Sequence, residues 1–200
     1  MNTNDLTKIQ AEQRALQVNS INYEIVLSVN KKDDEYNGLT TINFNFKSSV
    51  ANKLIIDCIS KKIKTLKING QLTNNYKKEK CWIYLPTGVL KDGFNSVQIE
   101  YVNKYDNTGS GFHRFIDPQD NEVYIHTDFE PYDAHRLFPC FDQPDLKAQY
   151  KLSLKGPVDW QYIQNTDIEK ENIDGNIKSI EFKKTDIFST YIFALVVGPH

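Results

Sequence analysis

The segment INYEIVLSVNKKDDEYNGLTTINFNFK, residues 21–47, carries the clearest structural pattern in the chain. Apolar or aromatic residues occupy every second position of 21–29, and they alternate again through 42–46. A period of two places such side chains on one face of a β-strand. The charged run KKDDEYNG, residues 31–38, separates the two patterns. The segment therefore predicts a β-hairpin with one buried face.

Short runs of the same kind continue along the chain between turn-forming Gly, Asn and Pro residues. They predict strands at 53–57, 62–68, 81–85, 95–102, 122–127, 148–157, 159–166, 177–185 and 189–198. The last run is almost wholly apolar and predicts a buried strand. Together they predict an all-β fold, a saddle-like β-sandwich of mostly antiparallel strands. We expect residues 1–200 to form one domain, because no linker rich in Pro, Gly or Ser divides them.

The residues before the hairpin have a different character. Residues 4–17 predict a short N-terminal helix, which Thr3 or Asn4 can cap. Its apolar residues can share one face of the helix: Leu6, Ile9 and Leu16.

Charge and cysteine content restrict the partners and the compartment. The chain has 24 basic and 26 acidic residues and a formal net charge of −2, so we expect neither nucleic-acid nor membrane binding. Cys58, Cys81 and Cys140 are odd in number with no close pair in the sequence. That argues against a disulfide scaffold and for a reducing compartment. The polar start lacks an apolar leader, so we expect a cytoplasmic protein.

One segment fits neither a helix nor a strand period. Residues 126–148 read HTDFEPYDAHRLFPCFDQPDLKA, which mixes aromatic, proline and carboxylate residues. Its rings need burial, and its buried backbone needs hydrogen-bond partners. The carboxylates can accept from backbone N–H groups, and Arg136 can pair with Asp133 or Asp142. The segment is either a self-packed structural loop or a binding site, and its spacing leaves both open.

The run TDFEPYDAHRLFPCFDQPDLKA, residues 127–148, resembles the pattern T-Q-F-E-P-x-D-A-R-R-x-F-P-C-F-D-x-P-x-x-K-A of the aminopeptidase N family of gluzincin zinc metallopeptidases. The stretch GSGFHRFIDPQDNEVYIHT, the opening NDLTKIQAEQRA and the closing STYIFALVVG are also similar to that family. The resemblance covers nearly the whole chain. It implies a saddle of β-strands that packs on a thermolysin-like catalytic domain, with the loop reaching the active site.

The resemblance implies a substrate-binding role for two residues. The family counterpart of Glu130 binds the free α-amino group of the peptide substrate, and a charge-assisted hydrogen bond of this kind contributes roughly 1.5–3 kcal/mol. Asp128 stands where the family usually has Gln, which lines the pocket for the first side chain. An ionised Asp cannot donate a hydrogen bond. Asp128 therefore either attracts a basic substrate side chain or adds a second anchor for the ammonium group.

Four further residues of the motif are expected to support the loop. Arg136 and Asp142 match family positions and are interpreted as ordering the loop. His135 stands where the family often has Arg, and it is interpreted as solvated or hydrogen-bonded. Cys140 is interpreted as a small buried hydrophobe rather than a nucleophile.

The zinc-binding motif of the family has no counterpart in this sequence. No two of the four histidines lie four apart, so H-E-x-x-H is absent, and so is the family's G-x-M-E-N run. We expect no catalytic residue, metal or cofactor here, zinc in the full-length parent, and no activity of this fragment alone. The alternative is a stand-alone β-sandwich binding or scaffold module without a peptidase partner. A docking domain predicts an exposed apolar patch, and a stand-alone module predicts a polar surface.

Overall fold

The computed structural model describes residues 6–48 and 53–199. This part of the chain contains one α-helix, α1 (Lys8–Gln17), which leads directly into the strands. In chain order the strands are β1 (Val18–Ser28), β2 (Glu35–Phe46), β3 (Lys53–Asp57), β4 (Lys62–Ile68), β5 (Gln71–Leu72), β6 (Lys77–Glu79), β7 (Trp82–Pro86), β8 (Gly93–Lys104), β9 (Gly111–Ile116), β10 (Val123–Asp128), β11 (Ala148–Pro157), β12 (Gln161–Gln164), β13 (Ile168–Asp174), β14 (Ile177–Phe182) and β15 (Leu195–Gly198). Short 3₁₀ turns lie at Thr87–Val89, Ala134–Arg136 and Thr190–Ile192. Over the described ranges, no helix has the length and apolarity needed to span a membrane.

The strands form three sheets around a shared core. The large sheet has eight strands in the order β13-β14-β11-β1-β2-β8-β4-β5. A second sheet has the order β12-β15-β10-β9, and a third has the order β3-β7-β6. The ladder of β1 with β11 is parallel, while the ladders on either side of it are antiparallel. One hydrophobic cluster contains buried residues of all three sheets. The predicted all-β fold of mostly antiparallel strands with a short N-terminal helix is confirmed.

The hairpin predicted from residues 21–47 is present as β1 and β2. Its alternating apolar side chains are buried on one face: Ile21, Tyr23, Ile25, Leu27, Ile42, Phe44 and Phe46. The turn is shorter than predicted, because β2 already begins at Glu35. Tyr36 is fully buried and pairs with Asn103 of β8. Strand pairing with β8 therefore extends into the charged run.

The other predicted strands are present with shifted ends, with one substantial error. The strand predicted over 189–198 spans only 195–198, and 190–192 is a 3₁₀ turn. The Thr190 hydroxyl donates to Asp142 at 2.6 Å, and the Ser189 hydroxyl donates to the Pro144 carbonyl at 2.6 Å. These side-chain bonds hold residues 189–190 against the loop rather than in the sheet. Strands β5, β6, β9 and β13 were not predicted. Every residue of β13 is exposed, so its burial does not alternate.

The helix does not bury its apolar residues Ile9 and Leu16. Ile9 and Leu16 are 66% and 68% exposed, whereas Arg14 and Gln17 are buried. Both buried polar side chains have hydrogen-bond partners in β3, Asp57 for Arg14 and the Lys53 carbonyl for Gln17, which offset the cost of burying them. The cap is Thr7, whose side chain accepts from the Gln10 backbone in a capping box. The predicted caps Thr3 and Asn4 lie outside the described residues.

One glycine lets the large sheet reach the segment that carries the motif. Gly38 of β2 lies opposite Tyr101 of β8, and a Cβ atom at residue 38 would lie 2.2 Å from the Tyr101 ring. With the glycine in place, the Tyr101 ring crosses β2 and its hydroxyl donates to the Leu137 carbonyl at 2.8 Å. Close approach, rather than an unusual backbone angle, accounts for glycine here.

We expect Gly38→Ala to destabilise the fold by about 1–3 kcal/mol, because the added methyl group displaces a fully buried ring. Urea unfolding followed by circular dichroism measures the change. Gly88→Ala is the matched control, since nothing lies within 4 Å of a Cβ atom there. Equal midpoints for the two variants would show that the ring contact is unimportant.

Candidate functional site

The motif-bearing segment forms a closely packed connection between β10 and β11, here called the β10–β11 loop (residues 129–147). Most of its apolar side chains are buried: Phe129, Ala134, Leu137, Phe138, Cys140, Phe141 and Leu146. The Phe129 ring stacks on Phe193 with centroids 6.4 Å apart. The loop is therefore part of the core over most of its length, as its rings predicted.

The Asp57 carboxylate, fully buried at the end of β3, joins three parts of the chain. Arg14 Nη1 of α1 lies 2.5 Å from Oδ2, and the Asp142 backbone N–H donates to the same oxygen at 2.9 Å. The Tyr132 hydroxyl donates to Oδ1 at 2.8 Å. The Asp57 backbone also exchanges two hydrogen bonds with Cys140, at 2.8 and 2.9 Å. One carboxylate thus fixes the helix and two points of the loop to β3.

A second buried carboxylate fixes the loop to itself and to residue 190. Asp142 Oδ2 accepts from the His135 backbone N–H at 3.1 Å and lies 2.8 Å from His135 Nδ1. Its Oδ1 accepts from the Thr190 hydroxyl. The interpretation of His135 as hydrogen-bonded agrees with this geometry. The alternative pairing of Arg136 with Asp142 does not form, because His135 and Thr190 occupy both oxygens.

Arg136 pairs instead with the carboxylate three residues before it and with a more distant one. Its Nε donates to Asp133 at 2.8 Å, and its Nη1 lies 2.5 Å from Asp106 Oδ1. Asp106 also accepts from the Phe112 backbone N–H at 3.1 Å. Arg136 therefore ties the loop to the start of β9.

Side chains of the large sheet satisfy the buried backbone of the loop. Tyr36 and Tyr101 both donate to the Leu137 carbonyl, at 3.0 and 2.8 Å. Asn103 donates to the Arg136 carbonyl at 2.8 Å, and the Tyr23 hydroxyl accepts from the Phe141 N–H at 2.9 Å. The sequence predicted that the buried backbone of this loop needs hydrogen-bond partners, and these four side chains are such partners.

The two sequence-predicted site residues lie together at the exposed start of the loop. Asp128 ends β10, and Glu130 follows the buried Phe129. Both side chains are exposed, and neither carboxylate forms a hydrogen bond or an ion pair with the residues that the structure describes. This distinguishes them from Asp133 and Asp142, whose oxygens are occupied. Two exposed carboxylates on a backbone that the core fixes in place can bind a cationic group of another molecule.

Burial suppresses ionisation of the groups beneath this site. It raises the pKa of the Tyr132 hydroxyl, with the Asp57 carboxylate adding to the effect, so this hydroxyl remains a donor. Burial also raises the pKa of Cys140 well above its usual value. A neutral, fully buried thiol fits the interpretation of Cys140 as a small hydrophobe.

The outer face of the four-stranded sheet adjoins the two carboxylates. Strand register places Ile163, Val196, His126 and His113 in one row across that face. Ile163 is 57% exposed, and Phe115 of the next row is 46% exposed. Burial and the neighbouring His113 lower the pKa of His126, so its uncharged form is favoured. This face, here called the outer β12–β9 face, is therefore partly apolar, with Ile163 and Phe115 exposed beside the two histidines.

Within the described ranges, no group of three or more His, Cys, Asp or Glu side chains could hold a metal ion. His113 and His126 are adjacent, with ring centroids 5.0 Å apart. His113 Nδ1, however, already accepts from the Gly109 backbone N–H at 3.1 Å. The residues that the structure describes therefore offer no set of ligands that fits a zinc ion.

Sequence reasoning missed Arg14 and Asp57, the residues on which the loop depends. Neither lies in the motif segment, and each was assigned only to a secondary-structure element. The sequence does contain a sign of the buried Asp57, because this acidic residue directly follows the apolar run Leu54–Ile56. A carboxylate continuing such a run needs a buried cationic or N–H partner.

Comparison with known proteins gives one consistent result. Residues 19–192 match the family model described as the peptidase M1 N-terminal domain. The chain is 34% identical over 201 residues to "Aminopeptidase N" of Streptomyces lividans, covering 98% of this chain and 22% of that protein. It is 32% identical over 182 residues to "Probable aminopeptidase 1" of Sulfurisphaera tokodaii, covering 90% of this chain and 22% of that protein. The chain thus spans about a fifth of these relatives.

The fold is also found among solved structures. Two crystal structures of an M1 zinc metallopeptidase from Deinococcus radiodurans superpose with TM-scores of 0.76 and 0.74. Sequence identity is 14% and 15%, and each match covers 91% of this chain and 42% of the other. At this identity the match concerns the fold alone.

We expect Asp57→Ala to destabilise the chain by about 3–5 kcal/mol, because it leaves the Arg14 guanidinium buried without its counter-ion. Replacing both partners, as in Arg14→Met with Asp57→Ala, removes the stranded charge and is expected to cost less than Asp57→Ala alone. Chemical unfolding of the two variants and the parent chain measures this. A double variant that is less stable than Asp57→Ala would contradict the role of the ion pair.

Proposed function

The chain belongs to the peptidase M1 N-terminal domain family, and from this premise we propose that it is the substrate-anchoring domain of a zinc aminopeptidase. In this proposal Glu130 binds the free α-amino group of a peptide. A catalytic domain of the same parent protein removes the first residue. The observation that carries the proposal is the exposed Glu130 carboxylate, which has no partner among the described residues, whereas Asp133, Arg136 and Asp142 of the same loop are paired within the protein.

The support beneath Glu130 suits a binding group that must keep its position. Phe129 on one side is 2% exposed and packs on Phe193 and Phe138. Tyr132 on the other side is held by Asp57, and the Asp133 N–H donates to the Phe129 carbonyl at 3.0 Å. Because the backbone on both sides of Glu130 is already held, little backbone freedom is lost when the carboxylate pairs with an ammonium group. Such pairing favours a peptide end, because an internal peptide nitrogen carries no charge.

Asp128 is proposed to line the pocket for the first side chain, as its family position implies. Its carboxylate is exposed beside Glu130 and has no cation among the described residues to neutralise it. A negative group in that pocket would favour a lysine or arginine side chain over a neutral one. The alternative, a second anchor for the ammonium, predicts an effect that is independent of the side chain.

The proposed partner is a thermolysin-like catalytic domain, and the outer β12–β9 face supports it. A stand-alone module predicts a polar surface at this position, whereas Ile163, Val196 and Phe115 make it partly apolar. The face adjoins Asp128, so a domain docked there would bring its own active site near Glu130. Zinc is proposed for that catalytic domain only, where it would activate water.

In the parent enzyme, we expect Glu130→Gln to lower kcat/KM for unblocked peptides about ten-fold or more, equivalent to a loss of about 1.4 kcal/mol. The amide keeps the shape of the side chain but removes its charge. Steady-state kinetics of the full-length protein measures this. The parent is recognised by H-E-x-x-H and a distant Glu encoded beyond codon 200.

Asp145→Asn is the matched control, because Asp145 is an exposed carboxylate of the same loop at the far end from Glu130. Its kinetics should stay unchanged. Unchanged kinetics in Glu130→Gln, or an equal loss in both variants, would contradict the anchoring role. The absence of an H-E-x-x-H sequence from the parent would remove the aminopeptidase proposal and leave the stand-alone module.

For Asp128→Gln in the parent enzyme, we expect the ratio of kcat/KM for an arginyl substrate to that for an alanyl substrate to fall several-fold. The change replaces a charge that attracts a basic side chain with a neutral amide. Paired fluorogenic substrates that differ only in the first residue measure the ratio. An equal fall for both substrates would favour the second-anchor alternative.

A further inference from the structure

Two cysteines that are far apart in the sequence lie opposite one another in the three-stranded sheet. β3 and β7 pair antiparallel from Lys53↔Pro86 to Asp57↔Trp82. The next step of this register places Cys58 opposite Cys81, and the Cys58 N–H donates to the Cys81 carbonyl at 2.6 Å. Hydrogen-bonded partners in an antiparallel pair have Cα atoms about 5.5 Å apart. Disulfides most often have Cα atoms about 5.5–6 Å apart.

The two side chains also point to the same face of the sheet. On β3 the fully buried residues two and four positions before Cys58 are Ile56 and Leu54, and on β7 those after Cys81 are Ile83 and Leu85. Cys58 and Cys81 continue these two inward-facing series, and their exposed fractions are 0% and 1%. The distance between partners and their shared direction are the two conditions for a cross-strand bond.

We propose that Cys58 and Cys81 form a reversible intrachain disulfide when the chain meets a low-molecular-weight disulfide such as oxidised glutathione. One cysteine, as its thiolate, attacks a glutathione sulfur and releases one glutathione thiolate. The second cysteine then attacks the protein sulfur of this mixed disulfide and releases the other. The two cysteines lose two protons and two electrons in total, and oxidised glutathione gains both to become two reduced molecules.

Cys140, in the β10–β11 loop, does not belong to this pair. Its backbone is paired with Asp57 rather than with Cys58, on the side of β3 away from β7. Cys140 therefore provides an internal control in the same region of the core. The pairing of Cys58 with Cys81 follows from the β3–β7 register and the shared inward face of both side chains, and it is independent of the proposed function.

Burial affects the rate at which the bond forms. It raises the pKa of Cys58 to about 11, so little thiolate is present near neutral pH. The test is therefore made at equilibrium, by refolding the chain from urea in a glutathione redox buffer, where both sulfurs are accessible before the core closes. The ratio of disulfide-bonded to reduced chain in a buffer of known glutathione composition gives the effective concentration of one cysteine thiol relative to the other.

We expect peptide mapping to find the Cys58–Cys81 bond and denatured thiol titration to fall from three thiols to one. The effective concentration should be at least ten-fold higher in native buffer than in urea, because the fold holds the two residues together. By linkage the oxidised chain should then unfold at a higher temperature than the reduced chain. Cys140→Ser should retain the bond, while Cys58→Ser and Cys81→Ser should form no Cys58–Cys81 bond and keep their melting temperature on oxidation.

A bond that mainly includes Cys140 would overturn the inference, and so would refolded protein carrying only glutathione adducts. An effective concentration no higher in native buffer than in urea would also overturn it. That comparison uses the unsubstituted chain, so it remains decisive even if a serine variant fails to fold.

Discussion

The buried pair of Arg14 and Asp57 is the interaction on which the β10–β11 loop depends. A guanidinium and a carboxylate removed from water are each costly unless their remaining donors and acceptors are also satisfied. Here Asp57 additionally receives Tyr132 and the Asp142 N–H, while Arg14 also donates to Gln143 at 3.0 Å. The cost of burial is thereby offset only when helix, strand and loop are all in place. The pair therefore specifies one arrangement of three segments that are distant in the sequence.

The charged residues between positions 128 and 142 are divided between two tasks. Those facing inward, such as Asp142 and Arg136, are bonded to the protein and fix its shape. Asp128 and Glu130 face outward without a partner among the described residues, on a backbone that the inward groups hold in place. In a loop held only by its ends, such carboxylates would rotate away or find local N–H donors. The buried hydrogen-bond network thus keeps the carboxylates of Asp128 and Glu130 free to bind a cationic group of another molecule.

The amino-acid sequence predicted what is set by alternation and by the motif. It predicted the hairpin and most strands, because one face of each is buried and the period is regular. It could not predict β13, which is exposed throughout, or the side-chain bonds that hold residue 190 out of β15. Cys58 and Cys81 showed no close pairing in the sequence, because strand register is a property of the folded sheet. The sequence did not predict the burial of Arg14, because the partners Asp57 and Gln143 lie far from Arg14 along the chain.

The parallel ladder between β1 and β11 has a consequence for how the chain is made. It pairs Ile21 with Ala148 and Leu27 with Leu154. One edge of the central strand β1 therefore stays unpaired until the ribosome has synthesised more than a hundred further residues. During that interval β1 can pair with β2 but leaves its other backbone edge open, next to aromatic side chains awaiting burial. An open edge of this kind can add a strand from another chain. We therefore expect the nascent chain to be most prone to aggregation, and to benefit most from a chaperone, before β11 has been synthesised.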